Sequence, residues 1–415
     1  MSLYTDIKIL TTANGYKVDK LYSVKPTNGD GDFTAIRNTT ATYENSSGAI
    51  VSAAIDTPRL DYSDGSCPTI LLEPASNSRC PNSIFAGAIS GSAGGTAPTG
   101  WSGTVAGTSG GTLTVSSSAY SSGNKLSIST SSARQQYHKG VRIDNLDGDY
   151  FFSFVCNITT AIALRELITA TELSGDSTVV YYVNGVVTNW ASNVPTGEFV
   201  LGAKLGISGN GWRTIKFGIG MYSGNSFTNT MTIDLPQLEK LPYRTSFIPH
   251  TNTGGEQSTT RALDSIIDSG TSADFNSVSG TLYLKAKALV SSGTDRVISA
   301  NDGTAANSAS IVYDSVANTV NGVYTKAGVV IATCTAVITD VTATNKIAFT
   351  YEGSSFKLYV NGSLEHTISS GSVTASNVFN SLDSNQGDNT LHLEAKVYEI
   401  QSYSKVLTLS EVASL

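Results

Sequence analysis

Charged residues are scarce in this chain. They make up 14% of 415 residues, compared with roughly 25% in ordinary soluble proteins. The formal net charge is -7 at pH 7, and the 26 Lys and Arg residues form no cluster. Because a nucleic-acid-binding surface needs grouped cations to neutralise phosphates, we expect no nucleic acid partner.

Long apolar runs are also missing. No stretch reaches the about 18–20 apolar residues that a membrane helix needs. The start, "MSLYTDIKIL", has no basic region followed by a long apolar one, so neither a membrane span nor a secretory signal is expected. Export as part of an assembled particle would explain an external location without such a signal.

Cysteine is rare, with four residues in the chain, too few for a disulfide scaffold. Cys156 and Cys334 lie in alternating apolar stretches, which predicts small buried side chains. Cys67 and Cys80 flank "PTILLEPASNSR". Their spacing is far longer than Cys-x-x-Cys, and no histidine is near for a metal site. A Cys67–Cys80 disulfide stays open as an alternative, although a reducing cytoplasm opposes it.

Catalytic constellations are absent from the sequence pattern. The four histidines form no HExxH motif, and "GAISGSAGG" offers Gly87, Ser90 and Gly91 without the spacing of a Gly-x-Ser-x-Gly elbow, a motif that would be a weak signal in a chain this rich in Gly and Ser. Glu394 and Glu399 are five residues apart in a predicted strand, so they point to opposite faces and fail as a glycosidase pair. Asp144, Asp147 and Asp149 are spaced like part of a calcium loop but do not complete it. We therefore predict no enzyme activity, no cofactor and no metal site, with a structural calcium ion left open.

Small polar residues replace the missing charge. The chain has 39 Gly, and its 19 Tyr outnumber 13 Phe and 3 Trp. This composition is typical of short strands joined by polar turns. Between residues 141 and 248, short apolar segments alternate with turn residues, and Asn184-Gly185 predicts a type I′ hairpin. This spacing predicts a β-sandwich.

The Gly/Ser/Thr-rich stretch from about 86 to 132 has two interpretations. A linker is one. Short strands are favoured because apolar pairs recur at Leu113 and Val115 and again at Leu126 and Ile128. The stretch "ALRELITATEL" is equally compatible with a helix or with a strand and a loop.

A second β-rich block follows a break near residue 255. Alternation in "TLYLKAKALV" predicts a strand, and Asn361-Gly362 predicts a hairpin turn. Thr408 followed by Glu411 is a capping box, which predicts a short C-terminal helix. The fold class predicted from the whole chain is all-β.

Exposed aromatic rings are the platform that sugar binding needs, because they stack on the C–H faces of a pyranose. Trp190 ends one predicted strand. Trp212 begins another, and Tyr222 follows that same strand. These three residues are the carbohydrate-binding candidates. For Trp212 a core position is favoured over a solvent groove, and for Trp190 the two alternatives are balanced.

Three segments together resemble modular fibre and appendage proteins of tailed bacteriophages of the Bacteroidetes-phage type. The first is "RNTTATYENSSGAI" with "TPRLDYSDGSCPTILLEPASNS", and the second is "LPQLEKLPYRTSFIPHTNTGGEQSTTRALD". The third, "FKLYVNGSLEHT" with "KVYEIQSYSKVLTLSEVASL", resembles a laminin-G or concanavalin-like lectin sandwich. After "LLEP" the chain departs from the pattern, and no binding residue can be matched to the family.

The resemblance implies a domain order. Residues 1–83 are expected to form a small N-terminal segment that anchors the chain to a virion. Residues 84–250 are expected to form a jelly-roll, carbohydrate-binding-like sandwich. A hinge over 251–262 then leads to a laminin-G or concanavalin-like sandwich over 263–415.

The function implied is that of a non-enzymatic virion structural protein, a head or tail fibre made in the host cytoplasm and displayed on the particle. Its expected partners are other virion proteins, bound through the N-terminal segment, and host-surface glycans. A homo-oligomer is expected, as a trimer or a dimer. The alternative is a secreted bacterial lectin or polysaccharide-degrading enzyme.

Overall fold

The computed structural model describes residues 3–106, 111–130, 134–143, 147–172, 177–208, 213–221, 229–254, 257–375 and 378–415. The chain forms two compact units. Unit 1 contains the residues up to Ser46, Ser52–Ala75 and Ala262–Leu415, and unit 2 contains Ser47–Val51 and Ser76–Arg261. No helix in the described residues has the length and apolar character to cross a membrane.

The described elements are almost all strands. The first are β1 Ile7–Thr12, β2 Tyr16–Lys17, β3 Lys20–Leu21, β4 Phe33–Ile36, β5 Ala41–Glu44, β6 Ile50–Ala53, β7 Leu60–Asp61 and β8 Thr69–Leu72. The next are β9 Ser76–Ser78, β10 Ser102–Ala106, β11 Thr112–Ser117, β12 Asn124–Thr130, β13 Arg134–Ile143, β14 Gly148–Ile158, β15 Ile162–Ala163, β16 Ile168–Glu172, β17 Ser177–Val183, β18 Val186–Val187, β19 Asn193–Val194, β20 Gly197–Ile207, β21 Arg213–Met221, β22 Asn229–Glu239 and β23 Thr259–Arg261. The last are β24 Ser265–Ile267, β25 Ser279–Ala288, β26 Arg296–Asn301, β27 Ser308–Tyr313, β28 Thr319–Lys326, β29 Val329–Val337, β30 Asn345–Glu352, β31 Ser355–Val360, β32 Ser363–Ile368, β33 Ser381–Asp383 and β34 Ala395–Tyr403. Leu3–Thr5 and Leu164–Glu166 are 3₁₀ turns, and α1 is Leu409–Ala413.

Unit 1 is a β-sandwich. One sheet has the order β32-β31-β30-β25-β34-β8-β7, with β1 also paired to β34, and the facing sheet has the order β29-β28-β27-β26-β33. Alternate residues of β25 and β30, such as Leu282, Leu284 and Phe349, are buried in the core between the sheets, as the alternation predicts. The opposite face of β25 is also buried, because Tyr283 packs in a second apolar cluster with Leu407 and with Val412 of α1.

The N-terminal residues of the chain belong to this sandwich. A separate segment over 1–83 is predicted from the sequence, and the structure divides the chain differently. Strand β34 pairs with β25 along one edge and with β1 and β8 along the other. Strands β1 and β8 supply buried residues to the core, including Ile9 and Ile70. The residues up to Ser46 and Ser52–Ala75 are therefore part of unit 1.

Unit 2 is a second β-sandwich, inserted in the sequence of unit 1. Its four-stranded sheet has the order β10-β13-β21-β16, and its larger sheet contains the path β11-β12-β22-β14-β20-β17-β18. The chain crosses between the two sheets several times, as from β12 to β13, from β13 to β14 and from β21 to β22, which is a jelly-roll arrangement. The stretch from 86 to 132 contains β10, β11 and β12 rather than a linker, and Trp101 is buried with Nε1 donating to Pro81 O at 3.0 Å.

Local signals in the sequence correspond to observed elements. Asn184 and Gly185 have φ of 48° and 77°, and they join β17 to β18 as a two-residue hairpin turn. Thr408 and Glu411 form the predicted capping box at the start of α1. The stretch "ALRELITATEL" forms a 3₁₀ turn followed by β16. The fold prediction of two β-sandwiches in an all-β chain is confirmed.

Candidate glycan-binding surfaces

Trp190 lies between the core of unit 2 and solvent. It follows β18 and packs on Tyr181 with ring centroids 4.3 Å apart and an interplanar angle of 36°. Both rings are partly buried against the core, while Val186 and Val187 nearby in the chain are 67% and 64% exposed. The ring of Trp190 therefore serves packing and leaves part of its surface open to stacking.

The other two aromatic candidates, Trp212 and Tyr222, lie outside the described residues. Their role in sugar binding stays a prediction. Tyr181, which the sequence did not single out, is the aromatic partner that the structure gives to Trp190. Burial raises the pKa of Tyr181 to about 12, and a backbone hydrogen bond with Ala170 acts in the opposite direction.

A second candidate surface is the outer face of the five-stranded sheet in unit 1. Residues of β26, β27, β28 and β33 that point away from the core form cross-strand rows. Small polar side chains dominate these rows. We call this surface the polar face; it consists of Ser299, Asn301, Ser310, Asn321, Thr325 and Asp383, and each of these residues is buried, at most 7% exposed.

Hydrogen bonds hold one end of the polar face. Asn301 Nδ2 donates to Asp383 Oδ2 at 2.8 Å and to Ser299 Oγ at 2.9 Å. Ser381 Oγ donates to Asp383 Oδ1 at 2.7 Å. This network fixes the carboxylate of Asp383 on the sheet and uses both of its oxygens.

Asn321 occupies the other end of the polar face. Its Nδ2 donates to Asp314 Oδ2 at 2.5 Å. Its Oδ1 is buried without a hydrogen-bond partner, and the residue is 7% exposed. An unpaired buried acceptor costs about 1–3 kcal/mol.

The chemistry of the polar face suits hydroxyl groups. Serine, threonine and asparagine side chains both donate and accept, and a carboxylate accepts. Asp383 is the one carboxylate among the six residues of this surface, and both of its oxygens are already bound.

The recurrent motif residues of the N-terminal segment form a buried charge cluster in unit 1. Arg59 Nη1 lies 2.7 Å from Glu73 Oε2, and Arg59 also contacts Asp264. Arg37 Nη1 lies 2.9 Å from Asp264 Oδ1. Burial lowers the pKa of Arg59, but the charges of Asp264 and Glu73 outweigh burial and leave the pKa above its ordinary value. These motif residues are therefore structural.

Motif residues around the predicted hinge form a second buried cluster, which lies in unit 2. Ser76 Oγ donates to Glu239 Oε1 at 2.6 Å, and the Thr245 N–H donates to Glu239 Oε2 at 2.9 Å. Arg261 Nη1 donates to Thr245 Oγ1 at 2.9 Å. Strands β9 and β23 pair antiparallel, with Ser76 opposite Arg261. The two ends of the inserted unit therefore lie side by side.

All four cysteines are free. Cys67 is exposed, whereas Cys80 is fully buried in the core of unit 2. The Cys67–Cys80 disulfide left open from the sequence is therefore not present, because one thiol faces solvent and the other is packed among apolar side chains. The predicted burial of Cys156 and Cys334 is observed.

No group of three or more potential metal ligands occurs among the described residues. Of the three aspartates considered for calcium, Asp144 lies outside the described residues. Asp149 Oδ2 lies 3.2 Å from Lys204 Nζ, so this carboxylate forms an ion pair on the sheet.

Comparisons with known proteins find a similarity to one family model in the C-terminal part of the chain. Residues 263–413 match the Laminin_G_3 model, described as the Concanavalin A-like lectin/glucanases superfamily. These residues form a lectin-like β-sandwich module within unit 1. No curated protein sequence matches the chain.

Solved structures with low overall similarity include carbohydrate-binding modules. The CBM40 of the Ruminococcus gnavus IT-sialidase, bound to α2,3 sialyllactose, is 18% identical over 33% of this chain and 81% of that chain, with a TM-score of 0.28. Domain 4 of AbnA, a GH43 extracellular arabinanase from Geobacillus stearothermophilus, in complex with arabinotriose, is 12% identical over 37% of this chain and 72% of that chain, with a TM-score of 0.27. TM-scores this low carry no argument about ligand.

Proposed function

We propose that this chain is a non-enzymatic carbohydrate-binding protein that displays its β-sandwich modules on a bacteriophage particle, for attachment to host-surface glycans. The observation that carries the binding function is the polar face, which lies within the residues that match the Concanavalin A-like lectin/glucanases model. Its hydroxyl, amide and carboxylate groups match the hydrogen-bonding needs of sugar hydroxyls.

The virion role is supported by the resemblance of three sequence segments to phage appendage proteins. In the first two segments, Arg59, Glu73, Glu239 and Arg261 take part in buried polar clusters. Such clusters require several residues at fixed positions, which explains why the motifs have a recognisable pattern. A bacterial lectin is equally compatible with the sandwich modules themselves.

A glycan-binding experiment tests the first part of the proposal. The purified full chain is applied to an array of bacterial-surface oligosaccharides, and the Asn321→Leu variant is compared with Val337→Thr. Asn321→Leu removes the donor and the unpaired acceptor of the polar face, so we expect at least a tenfold loss of affinity. Val337 is 77% exposed on the neighbouring strand β29, and its conversion to threonine should leave binding unchanged.

Thermal denaturation of both variants shows whether a loss of binding reflects a loss of folding. A folded wild-type chain that binds no oligosaccharide on the array would refute carbohydrate binding. Equal binding by wild type and a folded Asn321→Leu variant would refute the polar face as the site.

Immunogold electron microscopy tests the virion role. Antibodies raised against the chain should label phage particles produced in its host, and cryo-electron microscopy should then locate it on head or tail. Labelling of bacterial cells or culture medium, with unlabelled particles, would favour the bacterial lectin.

A further inference from the structure

Four exposed apolar side chains lie along one edge of the sandwich in unit 1. Val329 and Val330 begin β29 and are 60% and 57% exposed, and Val337 ends the strand at 77%. Leu364, which is 45% exposed, lies on β32 at the edge of the facing sheet. We call these four residues the apolar stripe. Exposed apolar side chains that occur together indicate a surface that contacts another molecule.

Strand β32 runs beside β29 in the opposite direction. The Thr335 N–H donates to His366 Nδ1 at 2.8 Å, and a Cβ on Gly371 would lie 2.5 Å from Ile331 Cγ2. Rising numbers in one strand therefore match falling numbers in the other, which places the leucine of the stripe beside Val337. Because His366 occupies the backbone of Thr335 at the outer edge of β29, another molecule would meet this edge through side chains.

The apolar stripe lies in an uncharged part of an acidic chain. Residues 327–339 contain no charged side chain, whereas the whole chain has a net charge of -7. Edge strands of natural proteins commonly carry charges that oppose contact with other chains, and β29 has none. Two copies of an acidic chain repel each other through their net charge. An exposed and uncharged segment is therefore a surface on which two copies can approach.

Charges of opposite sign flank this segment at equal distances from its centre. Lys326 lies seven residues before Thr333, and Asp340 lies seven residues after it. Val329 and Val337 lie four residues before and after the same threonine. When a second copy runs antiparallel with Thr333 opposite Thr333, Lys326 of each copy faces Asp340 of the other. The exposed valines at the two ends of β29 then also face each other. A two-fold contact requires a surface that matches itself in this way.

Both flanking charges are available to a second copy. Lys326 Nζ donates to two neutral acceptors, Ser372 Oγ and Val373 O, each at 3.1 Å. Asp340 is exposed, and its Oδ1 accepts from the N–H and the hydroxyl of Thr342, both at 2.7 Å. Neither residue forms an ion pair within the part of the chain that the structure describes, so neither charge is neutralised there.

We propose that β29 forms a two-fold contact between two copies of this chain, with the axis at Thr333. The apolar stripe supplies the side chains that become buried, and the pairs of Lys326 with Asp340 of the second copy fix the register at both ends. No residue of the polar face takes part in this contact. The inference goes beyond glycan binding and does not depend on it, because it assigns the chain a partner and the surface that holds this partner.

Exchange of the two charges tests the register. In Lys326→Asp two negative charges meet at each end of the contact, and in Asp340→Lys two positive charges meet. We therefore expect each full-length variant alone to self-associate at least about tenfold more weakly than the wild type, because like charges oppose each other. In an equal mixture of the two variants, every introduced charge faces an opposite charge of the other chain. The mixture should therefore recover dimers with about the wild-type affinity.

Val329→Glu tests the apolar part of the contact. The matched control is Val18→Glu, because Val18 is 61% exposed and lies in the turn between β2 and β3. We expect Val329→Glu to weaken self-association at least about tenfold, since it places a charge among apolar side chains, and Val18→Glu to leave it within about twofold. Val337→Thr, the control of the glycan experiment, adds no charge and keeps a branched side chain, so it should leave the dimer largely intact.

Sedimentation velocity of the full chain over a range of concentrations measures self-association, and thermal unfolding followed by circular dichroism shows that each variant is folded. A wild-type chain that stays monomeric at every concentration would overturn the proposal. So would an oligomer that the folded Lys326→Asp, Asp340→Lys and Val329→Glu variants form as well as the wild type. Two folded charge variants that stay monomeric when mixed would overturn the register. Glycan binding is not a readout here, so each of these results leaves the proposed function standing.

Discussion

At the scale of single residues, the motif residues of this chain are explained by burial. Arg59, Glu73 and Asp264 are almost completely removed from solvent and neutralise one another. Buried ions are tolerated only when each has a partner, because desolvation is expensive. In the sequence these residues are recognised as parts of a motif. In the structure the motif is explained by the pairing of their charges in the interior.

Arg59→Met tests this explanation. It leaves Glu73 and Asp264 buried without their shared cation, so we expect the free energy of unfolding to fall by about 3–5 kcal/mol. The control is Arg165→Met, which removes a 53% exposed side chain paired with Glu166 and should cost less than about 1 kcal/mol. Urea denaturation followed by circular dichroism measures both. Equal, small effects would contradict the explanation.

The cysteines give a second prediction at this scale. A thiol reagent should modify one cysteine per folded chain, Cys67, and four in denaturant. Burial raises the pKa of Cys80 and Cys156, and it raises the pKa of Cys334 to about 11, so these thiols stay protonated as well as inaccessible. Cys67→Ser should abolish the fast reaction. A folded wild-type chain with no reactive thiol would indicate an undetected disulfide.

At the scale of elements, the sequence predicts what is local. A two-residue turn needs positive φ at both positions, so Asn184-Gly185 identifies its hairpin without help from the rest of the chain. The pairing of β1 and β8 with β34 joins residues more than three hundred positions apart, and no local signal encodes it.

The cap of α1 gives the first prediction at this scale. Thr408 accepts from the Glu411 N–H and is an N-cap residue. Thr408→Ala should reduce the free energy of unfolding by about 1 kcal/mol. Ser410→Ala, inside the short helix, is the control and should have a smaller effect. A midpoint of urea unfolding that is the same for Thr408→Ala and Ser410→Ala would show that the cap is unimportant.

The pH dependence of the same cap gives a second prediction at the scale of elements. Glu411 accepts from the Thr408 N–H at 2.7 Å and from Lys405 Nζ at 3.0 Å, and these contacts lower its pKa to about 2. Because the folded pKa lies below the unfolded value, the stabilisation is complete above the ordinary pKa of about 4.3 and is lost as the pH falls through 2. The Thr408 amide signal in NMR should titrate near pH 2 and be flat in Glu411→Gln. An inflection near pH 4 would contradict the contact.

At the scale of the whole molecule, one sandwich is built from two distant parts of the chain. The family match begins at residue 263, yet strands β1, β7 and β8 belong to the same sheet as β34. The boundaries predicted from sequence followed the motifs along the chain. They missed this arrangement because membership of a sheet depends on pairing rather than on position.

A shortened chain tests the arrangement. Replacing residues 76–261 by a short Gly-Ser linker should give a folded unit 1, because its core is internal to the unit. Residues 262–415 alone should be unstable or aggregate, because β34 then presents an unpaired edge and loses the packing of Ile9 and Ile70. Cooperative thermal unfolding of the first protein, and its absence in the second, is the expected result. Equal stability of the two would show that the N-terminal strands are dispensable.

The pairing of β9 with β23 has a consequence for how such a gene can change. The breakpoints between residues 75 and 76 and between 261 and 262 divide the two buried clusters cleanly. Arg59, Glu73 and Asp264 remain in unit 1, the host sandwich, whereas Glu239 and Arg261 are part of the exchanged unit 2. A recombination event at these two points exchanges Ser76–Arg261 in frame, which is unit 2 without Ser47–Val51. Unit 2 can therefore be exchanged as a block, while the charge cluster of the host sandwich stays intact.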